Sequence, residues 1–268
     1  MEKTLSFLHS GDMGDIIAGL ASVKEICERE NAKAEIHLDT SGGMKSNVEP
    51  EINAIIRQQS NGRGLKFSYS SFTFLKPLIE AQPYVSAVYQ YIPGTPVDFN
   101  LNRFRLGFAN ADVIRRTNLN LMFLHQVALG LPMGYRGPWM TVEPMPEPVK
   151  VIVARSSRYQ SGHVVIASLE RDLVQDGGFI GTDFEHKLFE DCFGWAPTHI
   201  PVRDALDAAR EIAGSETIVV NGTLFYWIAV AIGHPDILHE LAVDIPTTFF
   251  PGADPAVRYF TGARFLRR

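Results

Sequence analysis

The chain alternates short apolar strands, loops and helices along most of its length, and this alternation limits its possible folds more than any other feature. In the first unit, the apolar run 4–8 is followed by the loop HSGDMGD and by a stretch with apolar side chains at positions 16, 20, 23 and 27. This spacing of four, three and four residues places those side chains on one face of a helix. Strands that alternate with helices in this way form the parallel sheets of α/β proteins.

The alternation continues through the first half of the chain. Apolar and β-branched residues predict strands at 34–38 and 85–92, and apolar periodicity predicts helices at 72–82 and 118–131. A proline in a helix interior removes a hydrogen bond and clashes with the preceding turn, so Pro77 is expected in the first turns of its helix.

A proline-rich segment then divides the chain. Its three prolines between 144 and 148 predict a stiff linker over 144–149, between a domain at 1–143 and a domain at 150–268. After it the alternation restarts, with strands predicted at 150–154, 177–181 and 217–220 and helices at 183–193, 203–214 and 224–232. The predicted fold class is therefore α/β, with two Rossmann-like units. Ligands of such folds bind beyond the carboxyl ends of the strands, here in a cleft between the units.

Composition argues against several classes of protein. The 268 residues carry 25 basic and 30 acidic side chains, a formal charge of −5, which argues against wholesale binding to a nucleic-acid backbone. The two cysteines lie far apart and match no metal spacing. No apolar run approaches the roughly 18 residues of a membrane span, and the N-terminus lacks a signal-peptide pattern. We therefore expect a cytoplasmic protein without a membrane span, a disulfide framework or a structural zinc site.

The first loop, Ser10 to Asp15, is suited to close contact with a ligand. Its two glycines let the backbone approach a bound group, and the N-terminus of the following helix favours anions. The spacing matches neither a dinucleotide fingerprint nor a Walker loop. Asp15 is either a catalytic carboxylate or a simple helix cap. His9, beside the loop, can contact a substrate.

Two further loops follow predicted strands in the second half. Arg155 and Arg158 lie three residues apart with hydroxyl groups between them, and guanidinium forks match the oxygens of a diphosphate. The alternative is a pair of surface arginines that bond to carboxylates. At Asn221-Gly222-Thr223, the amides that open a buried helix can bind an anion, or Thr223 is an ordinary N-cap.

Two segments resemble a known family. The stretch SGDMGDIIAGLASVKEI is similar to the N-terminal motif of the bacterial lipopolysaccharide heptosyltransferases, in which Gly-Asp precedes a Leu/Ala-rich helix. The stretch ALDAAREIAGSETIVVNGTLFYWIAVAIGHP is similar to their C-terminal motif. The resemblance implies a GT-B glycosyltransferase with an N-terminal acceptor domain and a C-terminal nucleotide-sugar domain. It also implies that the segment after Pro251 crosses back to the first domain.

The resemblance implies roles for individual residues. Asp15, at the family's Gly-Asp position, is the expected catalytic base. The expected donor-binding residues are Arg155, Ser156, Arg158, Gly181, Glu185, Asn221, Gly222 and Thr223, and the expected acceptor-side residues are His9, Gly11, Asp12 and Gly14. Asp183 is as well placed as Glu185 to accept from a ribose hydroxyl. The sequence departs from the family at Asn221, where the family has aspartate.

The resemblance implies transfer of a sugar from a nucleotide-sugar to an acceptor hydroxyl, without a metal or a cofactor and with inversion. A glycan, a small molecule or a modified phage DNA base would each fit as acceptor. One alternative is a catalytically inactive nucleotide-binding or regulatory protein of the same fold, which the departure at Asn221 favours. A second is an NAD(P)-linked oxidoreductase, against which the missing third glycine of the first loop argues.

Overall fold

The computed structural model describes residues 2–41, 67–109, 119–160, 174–241, 246–250, 256–261 and 264–265. The chain divides into two compact units, Met1–Thr141 and Val142–Arg268. Among the described helices, none has the length and apolar character needed to cross a membrane.

Unit 1 contains a parallel four-stranded sheet. Its elements in chain order are β1 (Lys3–His9), α1 (Met13–Glu30), β2 (Ala32–Leu38), α2 (Tyr69–Glu80), β3 (Val85–Gln90), β4 (Phe99–Asn100), a 3-10 helix (Leu101–Ala109) and α3 (Leu121–Ala128). The strand order is β3-β2-β1-β4. Because β1 and β4 pair in parallel through Phe7↔Phe99 and Leu8↔Asn100, the loop before α1 and the start of the 3-10 helix lie at the same edge of the sheet.

The apolar periodicity of the first helix is confirmed, since Ile16, Leu20, Val23 and Cys27 are all buried in unit 1. The prediction for Pro77 is wrong, because Pro77 lies in the last turns of α2. This helix begins earlier than apolar periodicity indicates. Its N-cap is Ser68, whose hydroxyl accepts a hydrogen bond from the Ser71 amide at 3.2 Å.

Unit 2 contains a seven-stranded sheet. Its elements are β5 (Val151–Ala154), β6 (Gly178–Phe179), α4 (Asp183–Phe193), β7 (Thr198–His199), α5 (Ala205–Gly214), β8 (Thr217–Asn221), α6 (Leu224–Ile232), β9 (Ile237–Glu240), a 3-10 helix (Pro246–Thr248), β10 (Val257–Thr261) and β11 (Arg264–Phe265). The strand order is β11-β10-β9-β8-β5-β6-β7, with all pairs parallel except β10 with β11.

This strand order fixes where a ligand is expected in unit 2. From β7 to β10 the strands follow the doubly wound order 3-2-1-4-5-6, which reverses direction between β5 and β8. In open α/β sheets the crevice at such a switch point, beyond the carboxyl ends of the strands, is the usual ligand site. Here it lies beside Arg155 after β5 and Asn221 at the end of β8.

Two further segments belong to unit 2. The proline-rich segment lies within it, and its Met145 amide donates to the Arg210 carbonyl of α5 at 3.1 Å. The described part of the terminal segment also remains in unit 2, because β10 extends its sheet through Val257↔Ile237. Only residues 256–261 and 264–265 of the segment after Pro251 are described, so its expected return to the first domain stays a prediction.

Candidate functional site

In unit 1, the loop between β1 and α1 is fixed by a buried polar contact with the 3-10 helix. Asn102 is fully buried, and its Oδ1 accepts hydrogen bonds from the Ser10 amide at 2.8 Å and the Ser10 hydroxyl at 2.7 Å. Gly11 then passes too close to its neighbours for a side chain. A Cβ there would lie 2.5 Å from His9 Cε1 and 2.7 Å from Asp15 Oδ2.

Asp15 lies in the first turn of α1 and is bound by a buried arginine. Its Oδ2 accepts from Arg105 Nη2 at 2.8 Å and from the Asp12 amide at 3.2 Å. The side chains of Arg105 and Asp15 are 8% and 17% exposed, so the pair is largely shielded from water. The N-cap of α1 is Asp12, and Asp15 is residue N3 of the same capping box; it also forms an ion pair that capping does not require.

Behind the loop, His9 and His125 form a buried pair. Their Nε2 atoms are 3.0 Å apart, His9 Nδ1 accepts from the Gly11 amide at 2.8 Å, and His125 Nδ1 lies 2.7 Å from the Leu121 carbonyl. These contacts fit one assignment, in which His9 Nε2–H donates to His125 Nε2 and His125 Nδ1–H donates to Leu121. Both rings are then neutral, and every ring nitrogen has a partner.

Burial explains why the pair stays neutral. Desolvation lowers the pKa of His125 to about 3. It also lowers the pKa of His9 well below the usual range, with His125 and Arg105 adding to the shift. Gly19 of α1 makes room for the pair, since a Cβ there would lie 3.0 Å from His125 Nε2. His9 is therefore part of the scaffold that holds the loop, and its side chain is fully buried.

In unit 2, Arg155 forms a buried ion pair across the switch point. Its Nε and Nη2 donate to the two carboxylate oxygens of Glu240 on β9 at 2.7 Å and 3.1 Å. The two side chains are 3% and 2% exposed, and the guanidinium also lies 5.6 Å from the Phe193 ring centroid. The structure thus places Arg155 in the bidentate carboxylate pairing that the sequence left as the alternative to diphosphate binding.

Asn221 connects the loops that follow β5 and β8. It is fully buried, its Nδ2 donates to the carbonyls of Ser156 at 3.0 Å and Arg158 at 2.5 Å, and its Oδ1 accepts from the Ser156 amide at 3.2 Å. A carboxylate at this position could not donate to the two carbonyls. Asn221, where the resembled family has aspartate, therefore links the end of β8 to the loop after β5 by both donating and accepting hydrogen bonds.

The loop after β5, to which Asn221 bonds, has an unusual backbone. Ser156 Oγ accepts from the Arg158 amide at 3.1 Å, and Tyr159 has a φ of 57°, a region that residues other than glycine seldom occupy. Arg158 is exposed, its guanidinium lies 4.8 Å from the Tyr159 ring centroid, and its Nη2 donates to the Tyr159 hydroxyl at 2.6 Å. Strained residues of this kind cluster at ligand sites.

The other donor-side residues lie at the carboxyl ends of neighbouring strands. Thr223 is the N-cap of α6, next to Gly222. Gly181 and Glu185 follow β6 instead, and Glu185 forms a capping box with Thr182, which places it at the start of α4. Asp183 is exposed, and its Oδ1 lies 3.3 Å from His199 Nδ1. The structure thus brings together four of the predicted donor residues, Arg155, Ser156, Arg158 and Asn221. Gly181 and Glu185 lie after β6, on the other side of β5 from β8.

A buried histidine lies beneath the loop after β8. Both ring nitrogens of His239 are without a hydrogen-bond partner within the described chain, and its ring lies 4.2 Å from that of Tyr226. Burial lowers the pKa of His239 to about 3.

His239 predicts a loss of stability in acid. The unfolded state takes up a proton near pH 6.5, whereas the folded state stays neutral until about pH 3, so stability is full above pH 7 and declines below it. Between pH 7 and pH 5 this one residue should remove about 2 kcal/mol from the free energy of unfolding. The measurement is urea unfolding at both pH values for the wild type and His239→Leu. An equal pH-dependent loss in the variant would contradict the prediction.

Several of these residues carry no local sequence signal. Arg105, His125, Asn102 and Glu240 lie outside any motif, and each acts through a partner that is at least 85 residues away in the sequence. Pairing of β1 with β4 brings Asn102 and Arg105 to the site, and pairing of β8 with both β5 and β9 brings Glu240; His125 reaches it from helix α3. The one available signal is position, since Asn102 and Arg105 follow a strand and Glu240 ends one.

Solved structures with the same fold include several glycosyltransferases. The glycosyl transferase family 9 protein of Veillonella parvula matches with a TM-score of 0.58 and 9% identity, over 97% of this chain and 86% of the other. Escherichia coli heptosyltransferase WaaC with ADP matches with a TM-score of 0.54 and 13% identity, over 97% of this chain and 94% of the other. The E. coli ADP-heptose lipopolysaccharide heptosyltransferase II matches with a TM-score of 0.52 and 11% identity, over 96% of this chain and 90% of the other.

No protein-family model matches the sequence, and neither does any curated protein. At these identities the structural likeness shows the fold, and the fold is the one that the sequence motifs predict. The chain has the GT-B fold of these glycosyltransferases, with two α/β units whose strands pair in parallel except β10 with β11.

Proposed function

We propose that the protein is a glycosyltransferase that moves a sugar from a nucleoside-diphosphate sugar to an acceptor hydroxyl. The observation that carries the proposal is the carboxylate of Asp15, held by a buried arginine at the carboxyl end of β1 in a chain with the GT-B fold. A general base must lie on a rigid element to meet the acceptor hydroxyl within hydrogen-bond reach. The loop contacts of Ser10 and Gly11 supply that rigidity in unit 1.

Unit 2 is assigned the donor. The exposed guanidinium of Arg158 and the amides that open α6 supply positive charge at the switch point, where a departing diphosphate needs it. Arg155 and Asn221 are assigned to the floor of this site, which they stabilise through Glu240 and the Ser156 loop. Ser156, Gly181, Glu185, Gly222 and Thr223 remain proposed donor contacts.

The proposed reaction is a direct displacement. Asp15 takes the proton of the acceptor hydroxyl, the acceptor oxygen forms a bond to the anomeric carbon, and the bond from that carbon to the diphosphate breaks. The nucleoside diphosphate leaves with the electron pair, and the configuration at the anomeric carbon inverts. Because arginine and backbone amides stabilise the leaving group in this scheme, we propose that the reaction needs no metal ion.

A donor screen tests the proposal. We suggest thermal unfolding with ADP-, GDP- and UDP-sugars, beginning with ADP-heptose because two structural neighbours are named for ADP or ADP-heptose. A ligand at about 100 times its Kd adds roughly 2.7 kcal/mol of stability. A stabilising donor is then assayed for release of nucleoside diphosphate, with and without excess chelator. Stabilisation without transfer to any acceptor would instead favour the inactive nucleotide-binding protein, and loss of activity in chelator would contradict the metal-free scheme.

Arg158 gives the sharpest test of the donor site. Removing its guanidinium in Arg158→Ala should weaken binding of a nucleoside diphosphate by about 1.5–3 kcal/mol, the usual value of a hydrogen bond to a charged group. The measurement is isothermal titration with the nucleoside diphosphate of the stabilising sugar. Arg203→Ala is the matched control, because Arg203 is an exposed arginine of unit 2 that pairs with Asp207. Equal affinity in both variants would remove Arg158 from the donor site.

A further inference from the structure

The 3-10 helix of unit 1 carries Arg105, the buried arginine that holds the Asp15 carboxylate. Arg105 lies 90 residues from Asp15 in the sequence and meets it because β4 pairs with β1. Its guanidinium lies 4.8 Å from the Phe104 ring centroid, and Phe104 in turn stacks on His125 at 4.1 Å. The Arg105 guanidinium thus contacts both an aromatic ring and the Asp15 carboxylate.

The guanidinium of Arg105 uses only part of its hydrogen-bonding capacity among the described residues. Its Nη2 donates to Asp15 Oδ2, whereas its buried Nε has no hydrogen-bond partner among the described residues. Nε and Nη2 form the side of the guanidinium that binds a carboxylate with two parallel bonds, as Arg155 does with Glu240. The Asp15–Arg105 pair uses half of this fork, so the carboxylate can turn toward Nε without leaving the arginine.

A purely structural role explains this arrangement poorly. Asp15 is residue N3 of a capping box whose N-cap is Asp12, and an amide oxygen at N3 can also accept from the Asp12 amide, so capping alone requires no buried guanidinium. Burying an ion pair costs desolvation that its attraction often fails to repay, and such a pair is weak support for stability. The surrounding contacts of Ser10, Gly11 and His9 all fix the loop that carries this carboxylate.

We propose that Arg105 is the positioning residue of the Asp15 carboxylate. It holds Oδ2, keeps the carboxylate ionised before the acceptor arrives, and guides it as the acceptor proton is taken up. The neutral His9–His125 pair supports the same loop from behind. This inference rests on the proposed function, because it assigns Arg105 a part in the proton transfer by Asp15.

The pH profile of kcat distinguishes positioning from simple folding support. Among the described residues, the charged and titratable groups around Asp15 include Arg105 of the 3-10 helix, Asp12 of the loop, His9 of β1 and, behind it, His125 of α3. Burial keeps both histidines neutral across the assay range by lowering their pKa values. We therefore assign the acidic limb of the kcat profile to protonation of the carboxylate.

The experiment compares Arg105→Gln, Arg105→Lys and Arg103→Gln with the wild type. Loss of the guanidinium in Arg105→Gln should lower kcat by about 10²-fold, as expected when a catalytic group is misplaced, and should move the acidic limb up by about one pH unit or more. The KM for the donor should stay within about twofold. Arg105→Lys keeps the charge without the fork, so the limb should stay in place while kcat falls by about tenfold. Arg103 is an exposed arginine of the same helix, and its variant should match the wild type.

The outcomes separate this inference from the proposed function. If Asp15→Asn is inactive while Arg105→Gln keeps the wild-type kcat and acidic limb, Arg105 does not position the carboxylate and the proposed function stands. If the wild type transfers no sugar from any donor, both fall. If Arg105→Gln does not fold, Arg105→Lys decides, and a wild-type kcat in that variant overturns the inference.

Discussion

Replacing Asp15 by asparagine is expected to lower turnover by about 10²–10⁴-fold, the usual contribution of a general base. The substitution keeps the size of the side chain and removes its capacity to take a proton. Asparagine Oδ1 can still accept from the Asp12 amide, so the N-terminus of α1 keeps its cap. Donor affinity should change little, because the proposed donor contacts all belong to unit 2. Single-turnover transfer and donor titration measure the two effects separately.

This substitution also affects Arg105, and the experiment must separate that effect from catalysis. Without the carboxylate, the buried guanidinium loses its charged partner, so Asp15→Asn should be less stable than the wild type. Activity is therefore measured well below the Tm of the variant. Asp98→Asn is the matched control in unit 1, since Asp98 is exposed and accepts from the Ser6 amide and hydroxyl. A turnover near that of the wild type in Asp15→Asn would return Asp15 to a capping role and make Asp12 the next candidate for the base.

Local patterns were sufficient to predict most of the framework. The helix that begins after Gly-Asp buries the residues that its periodicity selects, and α4 and α6 have the bounds predicted from sequence. The α2 boundary was missed because serine capping and an exposed first turn, rather than apolar spacing, set its start at Tyr69. Periodicity detects the buried face of a helix and gives little information about ends that lie in solvent.

The candidate site was predictable in part, and for a physical reason. A loop between a strand and a helix is local, so Gly11, Asp15 and Asn221 could be selected from the sequence alone. The partners that decide what these residues do come from other strands. Whether Arg155 faces a ligand or a carboxylate depends on which strand lies two places away in the sheet, and that strand, β9, follows 82 residues after Arg155. Strand order is a tertiary property that spacing does not encode.

Loss of the Arg155 guanidinium should destabilise unit 2 strongly. Arg155→Met keeps much of the side-chain volume but leaves Glu240 as a buried charge without its arginine, a change that typically costs about 3–5 kcal/mol. If Arg155 were instead an exposed diphosphate ligand, its removal would weaken donor binding and change stability by about 0.5 kcal/mol or less. The ion-pair role of Arg155 therefore predicts a large loss of stability in the variant. The ligand role predicts weaker donor binding with little change in stability.

Urea unfolding followed by tryptophan fluorescence measures the effect in unit 2 itself. Trp195 and Trp227 lie in unit 2, and a Trp139→Phe background removes the tryptophan of unit 1. In this background Arg155→Met should unfold at a much lower urea concentration, whereas Arg158→Met, an exposed arginine of the same loop, should unfold near the parent. The double variant Arg155→Met/Glu240→Leu should regain most of the loss, because replacing both members of a buried ion pair by apolar side chains is often neutral or stabilising. A single variant as stable as the parent, or a double variant no better than the single, would show that the pair does not support the floor of the proposed donor site.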